Sequence, residues 1–562
     1  MGLTSSPILS PVDAAFTDTT APRRRSTPWR LLVVAVAVAV VGAICITVAA
    51  ISVHTTKVAN HALDIVTQIQ QSPGLRVTVT AKRPSMAFHG HLSADIYIVP
   101  HTRRATSALS FDAVMSLSGA ETTETYLLLD NRAYTSSVAA NGTLLSSACV
   151  TSGLPPVQLL QSSLADATRL DAVVGTDTTC DGDWLQLAFA GESFVFCNGA
   201  NHRVSHASGV DIDLSIEYLA DPSLLPEFAI PVGVNSTSVL ECPIVVPSAV
   251  APAASAGMLS TASEVWIAAT GAPRVAMIES ASCGCKMAKK PCLFVHGAGN
   301  YFNASLSDIF LFEWGLAHLH APCCSSIKFA HFETWFRGWE EESIHNQFCD
   351  AALQVSNAKP NSTSIDNLLL VTFSMGNLVA SGAVASGKCS FGRDLTWVSI
   401  AGPMHGSKTA NALEQKCNAN NGWDVPIKWL FSAVTLCPIT NTFRNLQYKS
   451  TLPPALQAKY DAAQAVRRAH ATKLICGTNP NGLTTIYSGF MQWASDQSNH
   501  GDVSDGLVAF ESCSDGIGGF STNYADDANY KPAVNHLDAS FRSGDGWWGA
   551  DRKPQKWFEC AL

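Results

Sequence analysis

Asn367–Val384 reads NLLLVTFSMGNLVASGAV. The apolar run Leu368–Phe373 ends at Ser374, and a helix-like run of small and apolar residues follows. A short continuous apolar run ending in a turn is the pattern of a strand buried on both faces. A serine between such a strand and a helix sits in a strained turn that lifts its hydroxyl above the sheet. TFSMG (Thr372–Gly376) has the spacing of that turn, with Thr372 where a first glycine is usual. Taken alone, the pattern also suits a small residue at an ordinary bend. The strand before it and the helix after it give it value.

Working outward, the same alternation continues from about residue 288. PCLFVHGAG (Pro291–Gly299), SIKFAHF (Ser326–Phe332), NLLLVTF (Asn367–Phe373), LTWVSIAG (Leu395–Gly402) and ATKLICG (Ala471–Gly477) are buried-strand candidates. Helices are predicted between the first four, over Ser305–His318, Trp339–Ser356 and Asn377–Ala385. Strand alternating with helix predicts a mostly parallel, doubly wound sheet in an α/β domain over 280–562. The stretch 407–471 is long and helical, lies between two core strands, and is placed as an insert able to cover a site.

Three further segments, one before Ser374 and two late in the chain, complete a constellation. HGAG (His296–Gly299) ends the first strand, and the loop there supplies one backbone N–H to an oxyanion hole; the residue after the nucleophile supplies the other. In this fold those would be Ala298 and Met375; HGAG also suits an ordinary Gly-rich turn. SDGLVAFESC (Ser504–Cys513) and VNHLDAS (Val534–Ser540) then give Ser374, Asp505 and His536 in the order nucleophile, acid, histidine. The imidazole takes the serine proton, and the carboxylate fixes its tautomer and stabilises the imidazolium. Asp502 and Asp496 compete for the acid, and His500 and His405 for the base. In ETWFRGW (Glu333–Trp339), Trp335, Arg337 and Trp339 are candidates for lining an acyl or headgroup pocket. The plainer reading packs both tryptophans under the sheet.

Residues 290–540 resemble lipases of the α/β-hydrolase superfamily, especially the bacterial triacylglycerol lipases. The matching pieces are FVHGAG, FSMGN, SIAGPMHGS (Ser399–Ser407), SDGLV and NHLD. The resemblance implies an ester hydrolase acting on a lipid or other ester, with Asp505 as acid and His536 as base. It implies no cofactor beyond a calcium ion, whose ligand set would include Asp538, two residues after the histidine. CGTNPNGLTTIYSG (Cys476–Gly489) supplies no partner acid upstream. Acyl transfer to an acceptor other than water uses the same residues. A non-catalytic binding protein on the same scaffold is the alternative from another class.

The first half of the chain reads differently. LRVTVTA (Leu75–Ala81), HLSADIYIV (His91–Val99), ALSFDAVMSLSG (Ala108–Gly119), TETYLLLDNRAYTSSV (Thr123–Val138), WLQLAFAGESFVFC (Trp184–Cys197) and VDIDLSIEYLA (Val210–Ala220) alternate apolar and polar residues. They predict an antiparallel, partial-barrel-like domain over 60–242, with a covering helix near Pro155–Ala167 and a linker over 243–263. A curved sheet of that kind can hold a lipid; it can also serve as a stalk.

Before it, residues 1–30 read as a disordered cytosolic tail ending in RRRSTPWR (Arg23–Arg30). Leu31–Val53 carries 23 uncharged residues, about 35 Å as a helix. Basic residues before the span predict a single-pass type II anchor with the bulk of the chain outside the cytosol. Of 17 cysteines, Cys45 lies in that span, four fall before residue 250 and twelve after residue 280. Even counts on each side predict two separate disulfide sets formed in an oxidising compartment. Asn141, Asn235, Asn303 and Asn361 are glycosylation sequons. Net charge is −9 and no long basic stretch marks the folded part, which argues against a nucleic-acid partner.

Overall fold

The computed structural model describes residues 63–102, 109–150, 159–175, 179–234, 236–245, 273–277, 282–418, 437–485, 487–501 and 503–562. The protein is mixed α/β, built on one large antiparallel sheet and one mixed sheet. The expected tail 1–30 and span 31–53 lie outside the described residues, as does most of the expected linker. The type II membrane placement is corrected: among the described residues no helix is long and apolar enough to cross a membrane. Eight disulfides point instead to an extracellular or secreted setting. Two close before residue 250 (Cys149–Cys242, Cys180–Cys197) and six after residue 280, none joining the two groups.

The first sheet uses β1 (Gly74–Ala81), β2 (Ser93–Thr102), β3 (Leu109–Ser118), β4 (Thr122–Leu129), β5 (Arg132–Ala139), β6 (Leu144–Cys149) and β7 (Thr168–Leu170). The short β8 (Ala172–Val174) pairs elsewhere, and β9 (Asp183–Phe189), β10 (Glu192–Asn198), β11 (His206–Ser208) and β12 (Ile212–Leu219) complete the sheet. Its order is β6-β5-β4-β3-β2-β1-β12-β11-β10-β9-β7, so it stays open, with β6 and β7 as edges. Two tight hairpins explain the long alternating runs. Asp130 and Asn131 both take positive φ between β4 and β5, and Ala190 and Gly191 do so between β9 and β10. Two-residue turns of that hand match the twist of the strands they join. Period-2 patterning then sorts the faces. Leu75 and Val79 turn into a core with Phe111, Met115, Leu187 and Phe196, while Arg76 pairs with Glu217 outside. Ile65, Val66 and Ile69 of a helix over 63–71, and Leu164 of the helix Leu160–Ala165, cover that core.

The second sheet follows a short strand β13 (Val275–Met277). It comprises β14 (Lys290–Val295), β15 (Ala304–Ser307), β16 (Cys324–His331), β18 (Leu368–Phe373), β20 (Leu395–Ile400), β21 (Lys473–Ile475), β22 (Phe520–Ser521) and β23 (Asn529–Tyr530); β17 (Ser364–Ile365) and β19 (Ser390–Phe391) pair only with each other. The order is β15-β16-β14-β18-β20-β21-β23-β22, parallel throughout except at β15. The strands read as unbroken apolar runs because both faces are buried. Leu293, Val295, Leu368 and Leu370 face the helices Glu342–Val355, Met375–Ala385 and Pro454–His470. Cys292, Phe294, Leu369 and Val371 face Trp314 and the helix Pro554–Cys560. The chain steps from β14 to β16 on one side and then to β18 on the other, and that reversal opens a crevice at the strands' carboxyl ends.

The helix predicted over Ser305–His318 is corrected. Its start is the antiparallel edge strand β15, and the helical residues are the short turns Leu311–Trp314 and Ala317–Leu319, the second a 3-10 turn. The local polar side chains satisfy backbone groups outside a helix: the Asn303 side chain accepts from the Glu333 N–H, and the Ser307 hydroxyl donates to the Ile309 carbonyl.

A buried ion cluster joins the two sheets. Lys553 Nζ pairs with Glu192 (2.6 Å) and Asp211 (2.9 Å), Lys556 Nζ with Asp211 (2.6 Å), and Arg83 with Glu559 (2.8 Å). Trp547 enters the first sheet's core, and its Nε1–H donates to the Met86 carbonyl at 2.6 Å.

Candidate active site

Ser374 holds φ 51° and ψ −126°, a backbone that a residue with a Cβ adopts only when its surroundings impose it. Strand β18 ends one residue before it, the helix Met375–Ala385 begins one residue after it, and its N–H donates to the Ile400 carbonyl (2.9 Å). Two glycines permit the approach. A Cβ on Gly376 would lie 2.7 Å from the His296 carbonyl oxygen, and one on Gly297 would lie 2.7 Å from the Ser374 Cβ.

The turn is tied by Asn377, which the sequence reading did not single out. Its Nδ2 donates to the carbonyls of Ser374 (3.0 Å) and Ile400 (2.9 Å). Its Oδ1 accepts from the hydroxyls of Thr372 and Ser399, each at 2.6 Å. Thr372 in turn accepts from Trp397 Nε1–H (2.8 Å), and Ser399 from the fully buried Arg467 (2.8 Å). Burial lowers the Arg467 guanidinium to about 10. The signal available beforehand was a polar residue inside an otherwise apolar helix start.

The structure brings Ser374, His536 and Asp505 together. His536 Nε2 lies 2.8 Å from Ser374 Oγ, and His536 Nδ1 lies 2.7 Å from Asp505 Oδ2. Asp505 is fully buried; its Oδ1 accepts from the N–H groups of Leu507 (3.0 Å) and Val508 (2.7 Å), so both oxygens are engaged. Its carbonyl accepts from the His536 N–H (2.8 Å), locking the two loops to each other. A hydroxyl, an imidazole and an orienting carboxylate in that order can activate the hydroxyl for attack on a carbonyl.

Met375 is the first residue of its helix, where an N–H has no intrahelical acceptor. Ala298 lies in the facing loop, which buried His296 braces. His296 Nε2 accepts from the Phe332 N–H (3.1 Å), so its Nδ1 carries the proton and donates to the Gly297 carbonyl (2.8 Å). Burial holds His296 below the ordinary imidazole range, keeping that tautomer neutral. Thr334 ties the same loop through its hydroxyl, which donates to the Gly297 carbonyl (2.9 Å).

Ser374 and His536 open into a cleft of about 500 Å³ walled by aromatic rings, among them Tyr301, Phe302, Phe310, Phe443 and Trp493. The insert contributes: Leu413 and Lys416 of the helix Lys408–Asn418 line it, and residues 419–436 lie outside the described residues. Trp335 also lines the cleft, stacked 4.5 Å from Tyr301. Trp339 instead packs in the core with Nε1–H on the Asn445 carbonyl, and Arg337 pairs with Glu333 outside the cleft wall.

The competing residues are engaged elsewhere. His405 pairs with Asp515 (2.9 Å), His500 meets the Thr409 hydroxyl (3.3 Å), and Asp496 accepts from Gln492 (2.8 Å). Asp502 lies outside the described residues. The residues around Asp538 do not fit a calcium ion. Its carboxylate is fully buried and accepts from the Leu483 N–H (2.8 Å), Arg552 is the charge beside it, and burial raises it above its ordinary value. Calcium takes six to eight oxygen ligands, and among the described residues no group of three acidic, histidine or cysteine side chains converges on one point.

No family model matches the chain, and no curated protein matches it. Solved structures are similar to it at low level, two of them as follows. LprF from Mycobacterium bovis is 11% identical, with a TM-score of 0.20, over 31% of this chain and 98% of that one. A structure from a study of two prolyl endopeptidases is 9% identical, with a TM-score of 0.20, over 84% of this chain and 54% of that one. Likeness of this degree assigns neither a fold nor a substrate.

Proposed function

We propose that this chain is a serine ester hydrolase of α/β-hydrolase type, lipase- or esterase-like. The observation that carries it is the unbroken line Asp505–His536–Ser374, with bonds of 2.7 and 2.8 Å, ending on a serine held at positive φ. Ser374 Oγ attacks the ester carbonyl carbon while its proton passes to His536 Nε2. The carbonyl oxygen takes the negative charge and faces the N–H groups of Ala298 and Met375. The carbon–oxygen bond to the alcohol then breaks, and that oxygen takes the proton from Nε2. Water attacks the acyl-enzyme, gives a proton to Nε2, and the acid leaves as Ser374 regains it.

An ester with an apolar acyl chain is the substrate that the cleft's aromatic walls favour. A charged acyl chain would lose its hydration against those rings. The test is fluorophosphonate labelling of the purified protein beside Ser374→Ala, followed by hydrolysis of p-nitrophenyl esters of increasing chain length. Labelling confined to the wild type, with kcat/KM rising beyond the acetate, is the expected result. A folded wild type that neither labels nor hydrolyses any ester overturns the reading.

A further inference from the structure

The first sheet encloses a second cavity, about 280 Å³, under the helix over 63–71. Its wall is almost wholly apolar. Val79, Phe111, Met115, Leu187 and Phe194 are typical, and the one ionisable carboxylate on it, Glu192, is already paired with Lys553. Protein interiors are close-packed, and voids of this size are rare. A dry apolar cavity of about 150 Å³ takes up benzene, and an ordered water needs two to four polar partners. This wall offers water almost none and has nearly twice that room. Its chemistry fits a hydrocarbon chain.

The cavity is closed by the other half of the molecule. Leu483, Thr484, Trp547 and Trp548 form that wall. Thr484 stands at φ 62°, a strained conformation for a β-branched residue, and its carbonyl accepts from the Tyr126 hydroxyl of the first sheet (3.3 Å). The Leu483 N–H donates to Asp538, two residues beyond the catalytic histidine. Three positions after Thr485 the helix Ser488–Ser498 begins, and its Phe490, Met491 and Trp493 wall the catalytic cleft. A Cβ on Gly506, next to Asp505, would lie 2.9 Å from the Met491 carbonyl, so this helix also backs the acid's loop. One strap thus touches the second cavity, the histidine loop, the acid loop and the cleft.

We propose that the first sheet's cavity takes one acyl chain of a lipid, and that its occupancy sets the position of residues 482–498 and so tunes the catalytic cleft. The tuning rests on the serine-hydrolase reading; the binding does not. The test uses the whole purified protein and cis-parinaric acid, with native mass spectrometry for stoichiometry and hydrogen exchange across 481–498. Neither readout needs turnover. Ile96→Trp and Leu214→Trp each fill the cavity from a different strand, and circular dichroism checks their fold. The expected result is a bound chain and at least threefold slower exchange of the strap in the wild type, both lost in whichever filled variant folds. A saturating ligand should then also change the rate of p-nitrophenyl acetate hydrolysis at least twofold. Binding that survives cavity filling places the ligand in the catalytic cleft and overturns the site. No binding to the wild type overturns it without any variant. Binding with unchanged strap exchange overturns the coupling alone, and absent hydrolysis beside intact binding strikes only at the enzyme reading.

Discussion

The Thr372 hydroxyl donates to Asn377 Oδ1 at 2.6 Å across the turn that carries Ser374. Thr372 stands where the elbow pattern usually has glycine, so the side chain that looked like a departure is part of the turn's support. Thr372→Val keeps the shape but leaves the buried Trp397 Nε1–H and Asn377 without that partner. We expect a loss of about 1–3 kcal/mol in stability, read from urea unfolding. Asn377→Leu should lower kcat roughly 10- to 100-fold with KM little changed, because it misplaces the nucleophile and leaves the cleft wall intact. A KM effect without a kcat effect would count against a positioning role.

Gly297 has no room to grow. A Cβ there would sit 2.7 Å from Ser374 Cβ and 3.2 Å from its Oγ. Gly297→Ala must move either the serine or the loop that bears Ala298. The loss of one oxyanion donor is worth about 10²–10³ in kcat. Steady-state kinetics and melting together should show a large kcat loss with a modest stability loss, about 1–3 kcal/mol for overpacking.

The ion cluster between the sheets makes the joint pH-sensitive. Burial would raise the Asp211 carboxyl, but Lys553 and Lys556 hold it below its ordinary value. Its contribution is therefore complete above the unfolded carboxylate value of about 4 and is lost as pH falls through the depressed folded value. Burial would lower Lys553, but Glu192 and Asp211 hold it above its ordinary value. That contribution is complete below about 10.4 and is lost as pH rises through the folded value. Asp545, raised by burial, acts with the opposite sign to Asp211 and blunts the acid limb. Asp211→Asn should cost roughly 3–5 kcal/mol at neutral pH, since it strands the Lys556 ammonium and leaves Lys553 to Glu192 alone. Urea midpoints from pH 3 to 8 should fall toward acid in the wild type and flatten in the variant.

The disulfide Cys476–Cys513 closes a segment that holds both Asp505 and the helix Ser488–Ser498. A Cβ on Gly477 would lie 3.0 Å from the Asp505 Cβ, so the bridge anchors chain that the acid leans on. Replacing both cysteines with serine should remove about 3–4 kcal/mol, with hydrolysis failing at lower urea than global unfolding. Coincident loss of activity and fold would show that the bridge has no local effect on the site.

Much of the second sheet was legible because strands buried on both faces have no polar residues to blur them. β18 and β20 fall within a residue or two of the runs that predicted them, and β14 starts one residue before its run and ends four before the run does. The order of Ser374, Asp505 and His536 after core strands marked them as candidates, and the structure places their side chains in one hydrogen-bonded line. The region after His296 was not: its apolar residues fit a helix, while Asn303 meets the Glu333 N–H, which only the folded chain presents, and Ser307 bonds the Ile309 carbonyl of its own bend. Trp335 and Trp339 lie four residues apart with the same composition around them, yet one walls the cleft and the other the core. Tertiary packing decides that difference. The alternating runs Thr123–Val138 and Trp184–Cys197 each fold back as a hairpin, because the DN and AG turns interrupt the alternation by only two residues.

Asp211 meets Lys553 and Lys556 across 342 and 345 positions of chain. A ribosome makes the carboxylate long before the ammonium groups. Until they emerge, the first sheet must keep Asp211 and Glu192 hydrated, and its joint face cannot dry. His536 is also made late, only 17 residues before Lys553. The candidate histidine and the ammonium groups that seal the joint are therefore made within a short stretch of each other, well after the sheet whose face they close.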